Sequence, residues 1–385
     1  MIQIKDKSEC CGCSACVSVC AKSAIAMQPD DLGFLYPVVD MEKCNDCGLC
    51  EKVCAFHPDY SKEENMETPL VYAVRHKNIK EIETSRSGAM FIALSDWVLN
   101  NGGVVYGAGY TDHFRVVHKR ATTNEERDEF KGSKYVQSDM NNVFKQVNTD
   151  LNTGLKVLFS GTSCQTSGLR ASLMKTDTSN LYICDIVCHG VPSPRFWRDY
   201  LAFIEKKHKD TVIKVDFRDK TTLGWTDHKE SFTFADKHIY ADTYTDTFYE
   251  HIILRHSCGV CHFTNYQRPS DITIADFWGW QKAVGEEFGA DDKGVSLVMV
   301  NTEKGKRWFD AVKKDINYLE SNTKDCIQPN LQHPTIFHPK RDVFEHDYRE
   351  KGFGYIMNKY CKESNYLILK RQIKKIIKKV IRYHK

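Results

Sequence analysis

The alternation of apolar and polar positions from Leu70 onward predicts short buried strands separated by amphipathic helices. LVYAV, VVYGAGY and KVLFS are short apolar runs that end at Gly, Asn or polar residues, as buried strands do. LYICDIV, DITIADFWG and SLVMVN show the same pattern. SFTFADKHIYAD alternates in the manner of a hairpin, with Asp236 and Lys237 near its turn.

Helical spacing occurs between these strands. Residues 89–99 are predicted to form a helix, because apolar residues fall on one face at helical spacing: Met90, Phe91, Leu94, Trp97 and Val98. QTSGLRASL, GKRWFDAVKK and residues 194–206, which begin with a proline in the first turn, are also predicted helices. Strands that alternate with helices predict a mixed sheet with helices on its faces, and therefore an α/β body.

Before the α/β body the pattern changes. Residues 58–69 are polar with a proline at each end, which predicts a linker. Residues 1–57 contain two cysteine runs with the spacing C-x2-C-x2-C-x3-C, typical of a bacterial two-cluster ferredoxin module. In that module the fourth cysteine of each run binds the other cluster. We call the two predicted ligand groups set 1 (Cys10, Cys13, Cys16 and Cys54) and set 2 (Cys20, Cys44, Cys47 and Cys50).

Each set is predicted to hold one 4Fe-4S cluster. Zinc also accepts four thiolates, but its sites usually use C-x2-C pairs, and a doubled four-cysteine run does not follow that pattern. Cys11 is a fifth thiol in the first run. We favour a small packed residue there over a further ligand.

A second group of cysteines follows strands of the α/β body. Cys164 and Cys188 lie in turns directly after apolar strands, and Cys258 and Cys261 lie in a probable loop. Such positions converge at one edge of a sheet. We call these four residues set 3 and predict a third 4Fe-4S cluster there; zinc and unligated buried cysteines are the alternatives.

Composition narrows the classes of protein. The chain has 385 residues, enough for roughly two or three domains, and its 16 cysteines are compatible with a disulfide-rich secreted protein. No charged segment followed by an apolar stretch opens the chain, and no apolar run approaches the roughly 18 residues of a membrane span. These features and the predicted thiolate ligands favour the cytoplasm.

Charge is unevenly distributed along the chain. The formal net charge is +3, yet residues 370–385 contain eight basic residues and no acidic residue, so residues 1–369 carry 3 − 8 = −5. The body is therefore not expected to bind nucleic acid. Residues 366–385 place aliphatic residues at the spacing of one helical face, which predicts a basic amphipathic helix. It either lies on the inner membrane surface, docks on the acidic body, or remains a disordered tail or a docking peptide.

The motifs together resemble a known family, the beta subunit of coenzyme F420 hydrogenase/dehydrogenase. The matching stretches run in family order from residue 10 to about residue 280, and they are CCGCSACVSVC, DLGFLYP, CNDCGLCEKVC, SRSGAMFIAL, VVYGAGY, KGSKYVQSD, FSGTSCQTSGL, CHGVPSPRFW and RHSCGVCHFTNYQRPSDITIADFWG. The resemblance implies a 2×4Fe-4S ferredoxin domain at 1–57 and a linker at 58–69. It further implies a domain similar to the family's N-terminal domain at 70–150 and one similar to its C-terminal domain at 151–345, followed by the basic helix at 366–385.

The resemblance also implies a flavoprotein with FAD beside an iron–sulfur cluster. The four cysteines of set 3 match the family's cluster cysteines. The flavin-proximal stretches correspond to Ser85, Ser87, Gly88, Lys134, Tyr135, Gly161 and Thr162. The resemblance implies that Lys134 stabilises negative charge on the reduced flavin, although the residue in isolation is more typical of a solvated surface lysine. Asp276 matches a recurrent acidic position of the family. Both are predicted catalytic residues. Tyr135, Trp225, Trp278 and Trp280 either stack on a ring system or belong to the core.

The predicted function is an FAD-dependent oxidoreductase that relays electrons between ferredoxin-type clusters and flavin. Its expected partners are ferredoxin or another redox protein and a small-molecule substrate or the deazaflavin coenzyme. The alternative is a non-catalytic iron–sulfur electron-transfer subunit, for example one that serves surface-polysaccharide biosynthesis.

Overall fold

The computed structural model describes residues 1–58, 60, 68–289 and 291–361. The chain divides into two compact units, Met1–Phe337 and His338–Lys385. Most of the predicted linker and all of the predicted basic helix at 366–385 lie outside the described residues.

The strands, in chain order, are β1 (Ile25–Pro29), β2 (Leu35–Val39), β3 (Leu70–His76), β4 (Val104–Thr111), β5 (Arg115–Ala121), β6 (Val157–Thr162), β7 (Leu181–Ile186), β8 (Lys214–Asp216), β9 (Glu230–Thr233), β10 (His238–Ala241), β11 (Ile272–Asp276), β12 (Ser296–Val300) and β13 (Ile316–Ser321). The α-helices are α1 (Ala15–Val19), α2 (Leu49–Lys52), α3 (Ile79–Thr84), α4 (Met90–Asn100), α5 (Asn124–Asp128), α6 (Val143–Asn152), α7 (Ser163–Leu173), α8 (Pro194–His208), α9 (Lys220–Leu223), α10 (Thr243–Tyr249), α11 (Trp280–Val284), α12 (Glu303–Val312) and α13 (Arg341–Lys359). Short 3-10 turns occur at Lys7–Glu9, Asp112–Phe114, His256–Val260, Lys313–Asp315 and Pro329–Leu331.

The N-terminal region is built from two cysteine loops around a small hairpin. β1 and β2 pair antiparallel, with Ile25 opposite Val39. Gly12 and Gly48, one in each cysteine loop, both have φ of +72°, a conformation that favours glycine. These loops wrap back over the hairpin core, which includes Cys16 and Cys50.

The body is one large mixed sheet. In the described part of the chain its eight strands lie in the order β13-β3-β12-β11-β7-β6-β4-β5. The central strands β4, β6, β7 and β11 run parallel to one another. The outer strands pair antiparallel with their neighbours: β12 with β11, β3 with β12, β13 with β3, and β5 with β4. The predicted mixed sheet is therefore confirmed.

Alternate residues of the strands face two different helical layers. Val105 and Leu158 pack with α4 and α12, whereas their neighbours Tyr106 and Phe159 pack with α6 and α7. Ala15 of α1 belongs to the second of these cores, so the N-terminal region shares a core with the body. A smaller sheet of β10, β9 and β8 also lies within Met1–Phe337.

The predicted segments 70–150 and 151–345 both supply strands to the large sheet. β3 lies between β13 and β12, and β4 pairs with β6, so strands from the two segments are interleaved. The division near residue 150 remains a prediction from sequence. Among the described residues, no helix combines the length and apolar character that a membrane crossing requires.

The second compact unit contains α13. Its carboxylate Asp347 accepts hydrogen bonds from Lys351 and Lys359, each at 2.7 Å. Gly352 has φ of +73° and interrupts the helical geometry. This unit contains none of the predicted cluster cysteines.

Candidate functional site

Set 1 is assembled deep in the N-terminal region. Cys10 and Cys16 are buried, and Cys13 and Cys54 are partly buried. Burial raises the pKa of the Cys16 thiol, and the nearby sulfurs of the other three residues add to that effect by charge repulsion. The backbone N–H of Gly12 donates to Cys10 Sγ at 3.3 Å. The four cysteines predicted for this set are therefore close neighbours.

Set 2 lies nearer the surface. Cys50 and Cys20 contribute to the hairpin core, whereas Cys47 is exposed. Backbone N–H groups of Ile2, Ala24 and Asp46 donate to the sulfurs of Cys50, Cys20 and Cys44 at 3.2, 3.3 and 3.4 Å, respectively. Such hydrogen bonds to ligand sulfurs are one of the features that set the reduction potential of an iron–sulfur cluster.

Set 3 surrounds one cavity. Cys164 lies in the first turn of α7, Cys188 follows β7, and Cys258 and Cys261 lie within and directly after the 3-10 turn His256–Val260. All four side chains line the same cavity, which is partly open to solvent. Three segments that are far apart in sequence thus bring four thiols to one place.

The backbone around set 3 already faces the sulfurs. The N–H of Val191 donates to Cys258 Sγ and that of Gly190 to Cys188 Sγ, both at 3.4 Å. Burial raises the pKa of Cys258 to about 12 and that of Cys261 to about 11. The protein environment alone therefore disfavours several thiolates there, and a bound cationic group would reverse that preference.

The arrangement of the set 3 sulfurs can be compared with what a single zinc ion and a 4Fe-4S cluster each require. Among the described residues, no three His, Cys, Asp or Glu side chains are grouped in a way that suits a single metal ion. A tetrahedral zinc ion needs all four sulfurs at about 2.3 Å from one point. A 4Fe-4S cluster binds each thiolate at a different corner, so it suits four cysteines spread around a cavity.

Cys11 lies between set 1 and set 3. Its thiol is buried, its side chain lines the set 3 cavity, and its interactions with Cys13 and Cys164 raise its pKa. The hydrogen bond from Cys11 is the main cause that lowers the pKa of Cys164 to about 7. The sequence places Cys11 beside the set 1 ligands, but only the fold places it beside set 3.

Arg255 joins the two regions and was not identified from the sequence. Its fully buried guanidinium donates to the carbonyls of Cys10 and Leu35 at 2.7 and 2.9 Å, and to Gln137 Oε1 at 2.9 Å. Gln137 in turn donates to the carbonyl of Cys11 at 3.0 Å. The arginine lies three residues before Cys258, so one short segment supplies both a set 3 cysteine and the link to set 1.

A second polar cluster lies near the carboxyl end of β11. We call Arg86, Arg218, Lys220 and Asp276 the basic cluster. Arg218 donates to Asp276 Oδ2 at 2.6 Å, and Trp225 Nε1 donates to Asp276 Oδ1 at 2.9 Å. Burial opposes ionisation of Asp276, but the charges of Arg218 and Arg86 outweigh it and lower the pKa of the carboxyl group. Both oxygens of this predicted catalytic acid are thus already engaged.

Aromatic and proton-carrying side chains border the basic cluster. Trp225 and Trp278 stack with ring centroids 4.3 Å apart. His228 Nε2 lies 3.0 Å from Arg218 Nη2, and His228 Nδ1 lies 2.6 Å from the Tyr249 hydroxyl. Because arginine only donates, the neutral imidazole carries its proton on Nδ1 and donates it to Tyr249. Burial and the two arginines lower the pKa of His228 to about 4.

Three predicted flavin residues lie near this cluster. The Ser85 hydroxyl is buried and has no hydrogen-bond partner among the described residues. The Ser87 hydroxyl donates to the carbonyl of Val295 at 2.7 Å. The side chain of Tyr135 stacks on Phe248 with centroids 4.6 Å apart and interacts electrostatically with Arg218.

The remaining predicted flavin residues have other surroundings. A Cβ at Gly88 would lie 2.1 Å from the Val74 carbonyl oxygen, so close strand packing by itself requires glycine there. Thr162 lines the set 3 cavity, and its hydroxyl lies 3.2 Å from Cys164 Sγ, while Gly161 precedes it at the end of β6. Lys134 is partly buried and donates to the Lys131 carbonyl at 3.0 Å; desolvation lowers its pKa to about 8.

His189, next to Cys188, lies beside a second histidine. Its Nε2 lies 2.6 Å from Nε2 of His251, and its carbonyl accepts from Thr335 at 2.8 Å. Burial lowers the pKa of His189 to about 4. Its ring therefore pairs with a second histidine.

Comparison with known proteins identifies both regions. Residues 9–57 match the 4Fe-4S dicluster domain family, and residues 154–325 match the family described as the C terminus of the coenzyme F420 hydrogenase/dehydrogenase beta subunit. One chain thus carries a region that matches 4Fe-4S dicluster domains and a region that matches the C terminus of the F420 hydrogenase/dehydrogenase beta subunit. The resemblance predicted from sequence is therefore confirmed over these residues. Sets 1 and 2 lie in the dicluster domain, and set 3 lies in the beta-family domain.

The chain is thus an iron–sulfur electron-transfer protein of the oxidoreductase type, related to the beta subunit of F420 hydrogenase/dehydrogenase. A solved structure with a similar backbone is a chain of the F420-reducing [NiFe] hydrogenase complex from Methanosarcina barkeri. It is 17% identical, with a TM-score of 0.46, and the match covers 76% of this chain and 91% of that chain. Among curated proteins, none matches this sequence.

Proposed function

We propose that this chain is an oxidoreductase that holds three 4Fe-4S clusters, at sets 1, 2 and 3, and FAD beside the basic cluster. Bound FAD would supply the conversion between single electrons and hydride, which the protein exchanges with a small-molecule substrate or a deazaflavin coenzyme. The protein's own part is to hold these groups in order and to shield them from water.

The observation that carries the proposal is the position of set 3. Its four thiols line one cavity, and α7, which carries Cys164, packs so closely on the first cysteine loop that a Cβ at Gly168 would lie 2.7 Å from Cys13 Sγ. Two ligand sets in such close contact support electron transfer between them. Four thiols that three separate segments bring to one cavity suit the four corners of a cluster.

Set 2 supports contact with a redox partner. Cys47 is exposed, and the carboxylates of Asp46 and Glu51 surround the N-terminal amine nearby, at 2.7 and 3.1 Å. Set 1 lies deeper, against the body. We therefore place ferredoxin or another redox protein at the set 2 surface.

The basic cluster has groups that fit a flavin. Ser85 Oγ and the Nε atoms of Arg86 and Arg218 are buried and have no hydrogen-bond partner among the described residues. Unsatisfied buried donors are costly, and an anionic ligand with oxygen acceptors would satisfy them. Asp276 holds Arg218 in place, so we assign it a positioning role. Lys134 keeps its proposed role opposite the reduced flavin.

Analysis of the purified protein tests the proposal. Anaerobically prepared full-length chain is expected to contain about twelve iron atoms, four for each cluster, and to release FAD on acid precipitation. About twelve iron atoms without flavin would favour the non-catalytic electron-transfer alternative. About eight iron atoms would remove the cluster at set 3.

A variant localises the third cluster. Cys258→Ser should remove about four iron atoms and leave the EPR signals of sets 1 and 2 intact. Cys326→Ser is the control, because Cys326 is a buried cysteine outside the predicted ligand sets and its thiol donates to the carbonyl of Thr323. Equal iron loss in both variants would show general damage to the fold instead of loss of a ligand.

We also propose peripheral membrane contact through residues 366–385. The support is the sequence alone: eight basic residues within 370–385 alternate with aliphatic ones, against a remainder of net charge −5.

A further inference from the structure

Arg255 is a fully buried cation whose side chain donates to neutral groups. Its guanidinium donates to the carbonyls of Cys10 and Leu35 at 2.7 and 2.9 Å, and to Gln137 Oε1 at 2.9 Å. In the part of the chain that the structure describes, none of these acceptors is a carboxylate. The positive charge of Arg255 is therefore not balanced by an acidic side chain bonded to it.

The other buried arginines of the described residues are arranged differently. Each of these five arginines is ion-paired with a carboxylate at 3.2 Å or less, and the pairs are Arg75–Asp291, Arg127–Asp96, Arg218–Asp276, Arg268–Asp185 and Arg341–Glu345. Burial of a charge without a counterpart is costly, so buried charges in proteins are paired or lie beside metal groups. The difference indicates a negatively charged group beside Arg255 that is not a carboxylate side chain.

The guanidinium lies against the cysteine loop of set 1. A Cβ at Gly12 would lie 3.0 Å from Arg255 Nη1, and the Gly12 N–H donates to Cys10 Sγ at 3.3 Å. The guanidinium carbon also lies 4.1 Å from the centroid of the Tyr36 ring, whose face attracts a cation but carries no net charge. A 4Fe-4S cluster held by four thiolates is a net anion, so a cluster at set 1 fits as the missing counterpart.

The cation is supplied by the body and not by the N-terminal region. The Arg255 N–H donates to the carbonyl of Val191 at 2.9 Å, and the Arg255 carbonyl accepts from the Cys258 N–H at 3.0 Å. The side chain then crosses to the carbonyls of Cys10 and Leu35. The charge is thus fixed from both ends, by backbone bonds within the body and by acceptors in the N-terminal region.

A fixed cation beside a buried cluster acts on the electron that the cluster accepts. Reduction adds one negative charge, which a buried site of low dielectric disfavours. A nearby positive charge stabilises the added charge, and salt screens this interaction weakly when both groups are buried. Arg255 therefore favours the reduced state of a cluster at set 1.

We propose that Arg255 is the counter-charge of the 4Fe-4S cluster at set 1, and that it raises the reduction potential of this cluster. When the cluster accepts one electron from a redox protein and passes it on, Arg255 gains or loses neither an electron nor a proton. This inference goes beyond the proposed function, because it requires neither FAD nor a cluster at set 3. It requires the cluster at set 1, which the match to 4Fe-4S dicluster domains supports.

Three variants of the full-length, anaerobically purified protein separate the charge of Arg255 from its hydrogen bonds. Arg255→Gln removes the charge and keeps a donor, whereas Arg255→Lys keeps the charge and loses the planar fork of donors. Arg127→Gln is the matched control, because Arg127 is a buried arginine whose partners Ser95 and Asp96 lie on α4.

Iron content and EPR-monitored redox titration are measured for each variant. Cys47→Ser, which alters a set 2 ligand, and Cys258→Ser, which alters a set 3 ligand, assign the signals. Arg255→Gln should keep the iron content of wild type and make the potential of set 1 more negative, by more than that of set 2. Arg255→Lys should lie near wild type, and Arg127→Gln should match it.

Two outcomes would overturn the proposal. An unchanged set 1 potential in Arg255→Gln would show that the cluster does not depend on this charge. Equal shifts of the set 1 potential in Arg255→Gln and Arg255→Lys would show that Arg255 acts through its hydrogen bonds alone.

A second pair of variants retains Arg255 and serves if Arg255→Gln fails to bind iron. Gln137→Glu is nearly isosteric and places a carboxylate against the guanidinium, so it should make the set 1 potential more negative. Gln137→Leu removes the hydrogen bonds of Gln137 without adding a charge, so its set 1 potential should stay near that of wild type. An unchanged potential in Gln137→Glu, or an equal shift in Gln137→Leu, would overturn the proposal.

Wild-type composition separates this inference from the proposed function. About eight iron atoms, or the absence of flavin, would refute parts of the proposed function and leave the test at set 1 intact. Wild type with about twelve iron atoms and FAD, but with an unchanged set 1 potential in Arg255→Gln, would refute the role of Arg255 alone.

Discussion

At the scale of single residues, the partners of a side chain decide what its chemistry can be. Asp276 lies in a motif that resembles a catalytic position, yet its two oxygens bind Arg218 and Trp225. Its pKa is lowered, so it remains an anion that fixes a buried cation. The sequence motif indicated a functional acid but carried no information about the arginine 58 residues earlier that pairs with it.

Removal of the Asp276 charge should destabilise the fold. The side chains of Arg218 and Asp276 are only 4% and 12% exposed, and loss of one partner of a buried ion pair costs about 3–5 kcal/mol. We expect Asp276→Asn to lower the unfolding temperature by several degrees, measured by near-UV circular dichroism. The control is Asp310→Asn, which breaks the ion pair of Asp310 with Lys313. These side chains are 48% and 37% exposed, so this variant should change the unfolding temperature little. Equal effects would contradict the buried pair.

Lys134 gives a pH-dependent prediction. Its folded pKa of about 8 lies below its ordinary value of 10.5, because desolvation disfavours the charged form. Between these values the unfolded chain binds more protons, so stability rises with pH as the penalty of burying the charge disappears. Lys134→Met should therefore gain stability relative to wild type at pH 7, and the gain should shrink toward pH 10.

The measurement is the unfolding temperature from pH 6 to pH 10, with Lys22→Met as the control at an exposed position. The Lys22→Met difference from wild type should not vary across this range in the way that the Lys134→Met difference does. A Lys134→Met variant that is less stable than wild type at every pH would show that the hydrogen bond to Lys131 outweighs the burial of the charge.

At the scale of elements, the described segments predicted from local patterns each contain a strand or helix of the predicted kind, whereas other elements, among them β5, β13 and α6, were not predicted. The helix predicted over 89–99 is α4, and KVLFS, LYICDIV and DITIADFWG contain residues of β6, β7 and β11. These are strongly apolar or strongly periodic segments, for which burial determines the local structure. The grouping of the set 3 cysteines follows from the same logic, because parallel strands direct their following turns to one edge.

The contacts between elements could not be predicted in this way. Arg255 and the Cys10 carbonyl are separated by 245 residues, and the first cysteine loop meets α7 at Cys13 and Gly168, where α1 also packs on α7. A buried arginine or an extra thiol has no periodic pattern that distinguishes it from a surface residue. Long-range pairs of this kind depend on the completed fold.

The packing of α7 on set 1 gives a prediction for an element. A methyl group at Gly168 would meet Cys13 Sγ at 2.7 Å, so Gly168→Ala should push α7 and the first cysteine loop apart. Overpacking of this kind costs about 1–3 kcal/mol. We expect a lower unfolding temperature and altered EPR signals of set 1, whereas Gly354→Ala, where a Cβ meets nothing within 4 Å, should behave as wild type. Unaltered set 1 signals in Gly168→Ala would contradict this close contact.

At the scale of the whole molecule, charge is segregated along the chain. Residues 1–369 carry a net −5 and residues 370–385 carry +8, two charges of opposite sign on one chain. A basic, partly aliphatic segment is attracted to an anionic surface, by about 1 kcal/mol for each basic residue near it, and burial of its aliphatic face adds to the binding. If the proposed membrane contact holds, an anionic membrane binds this segment in preference to the acidic remainder of the chain.

Vesicle co-sedimentation distinguishes these two surfaces. Full-length protein should sediment with anionic phospholipid vesicles, and a chain that ends at Asn365 should not. Binding should weaken between low and physiological salt, where the Debye length falls to about 8 Å. A variant with Lys374, Lys375, Lys378 and Lys379 changed to Gln keeps the aliphatic positions and isolates the charge. Equal sedimentation of the full-length and shortened chains would reject membrane contact, and equal binding of the glutamine variant would attribute it to the aliphatic residues alone.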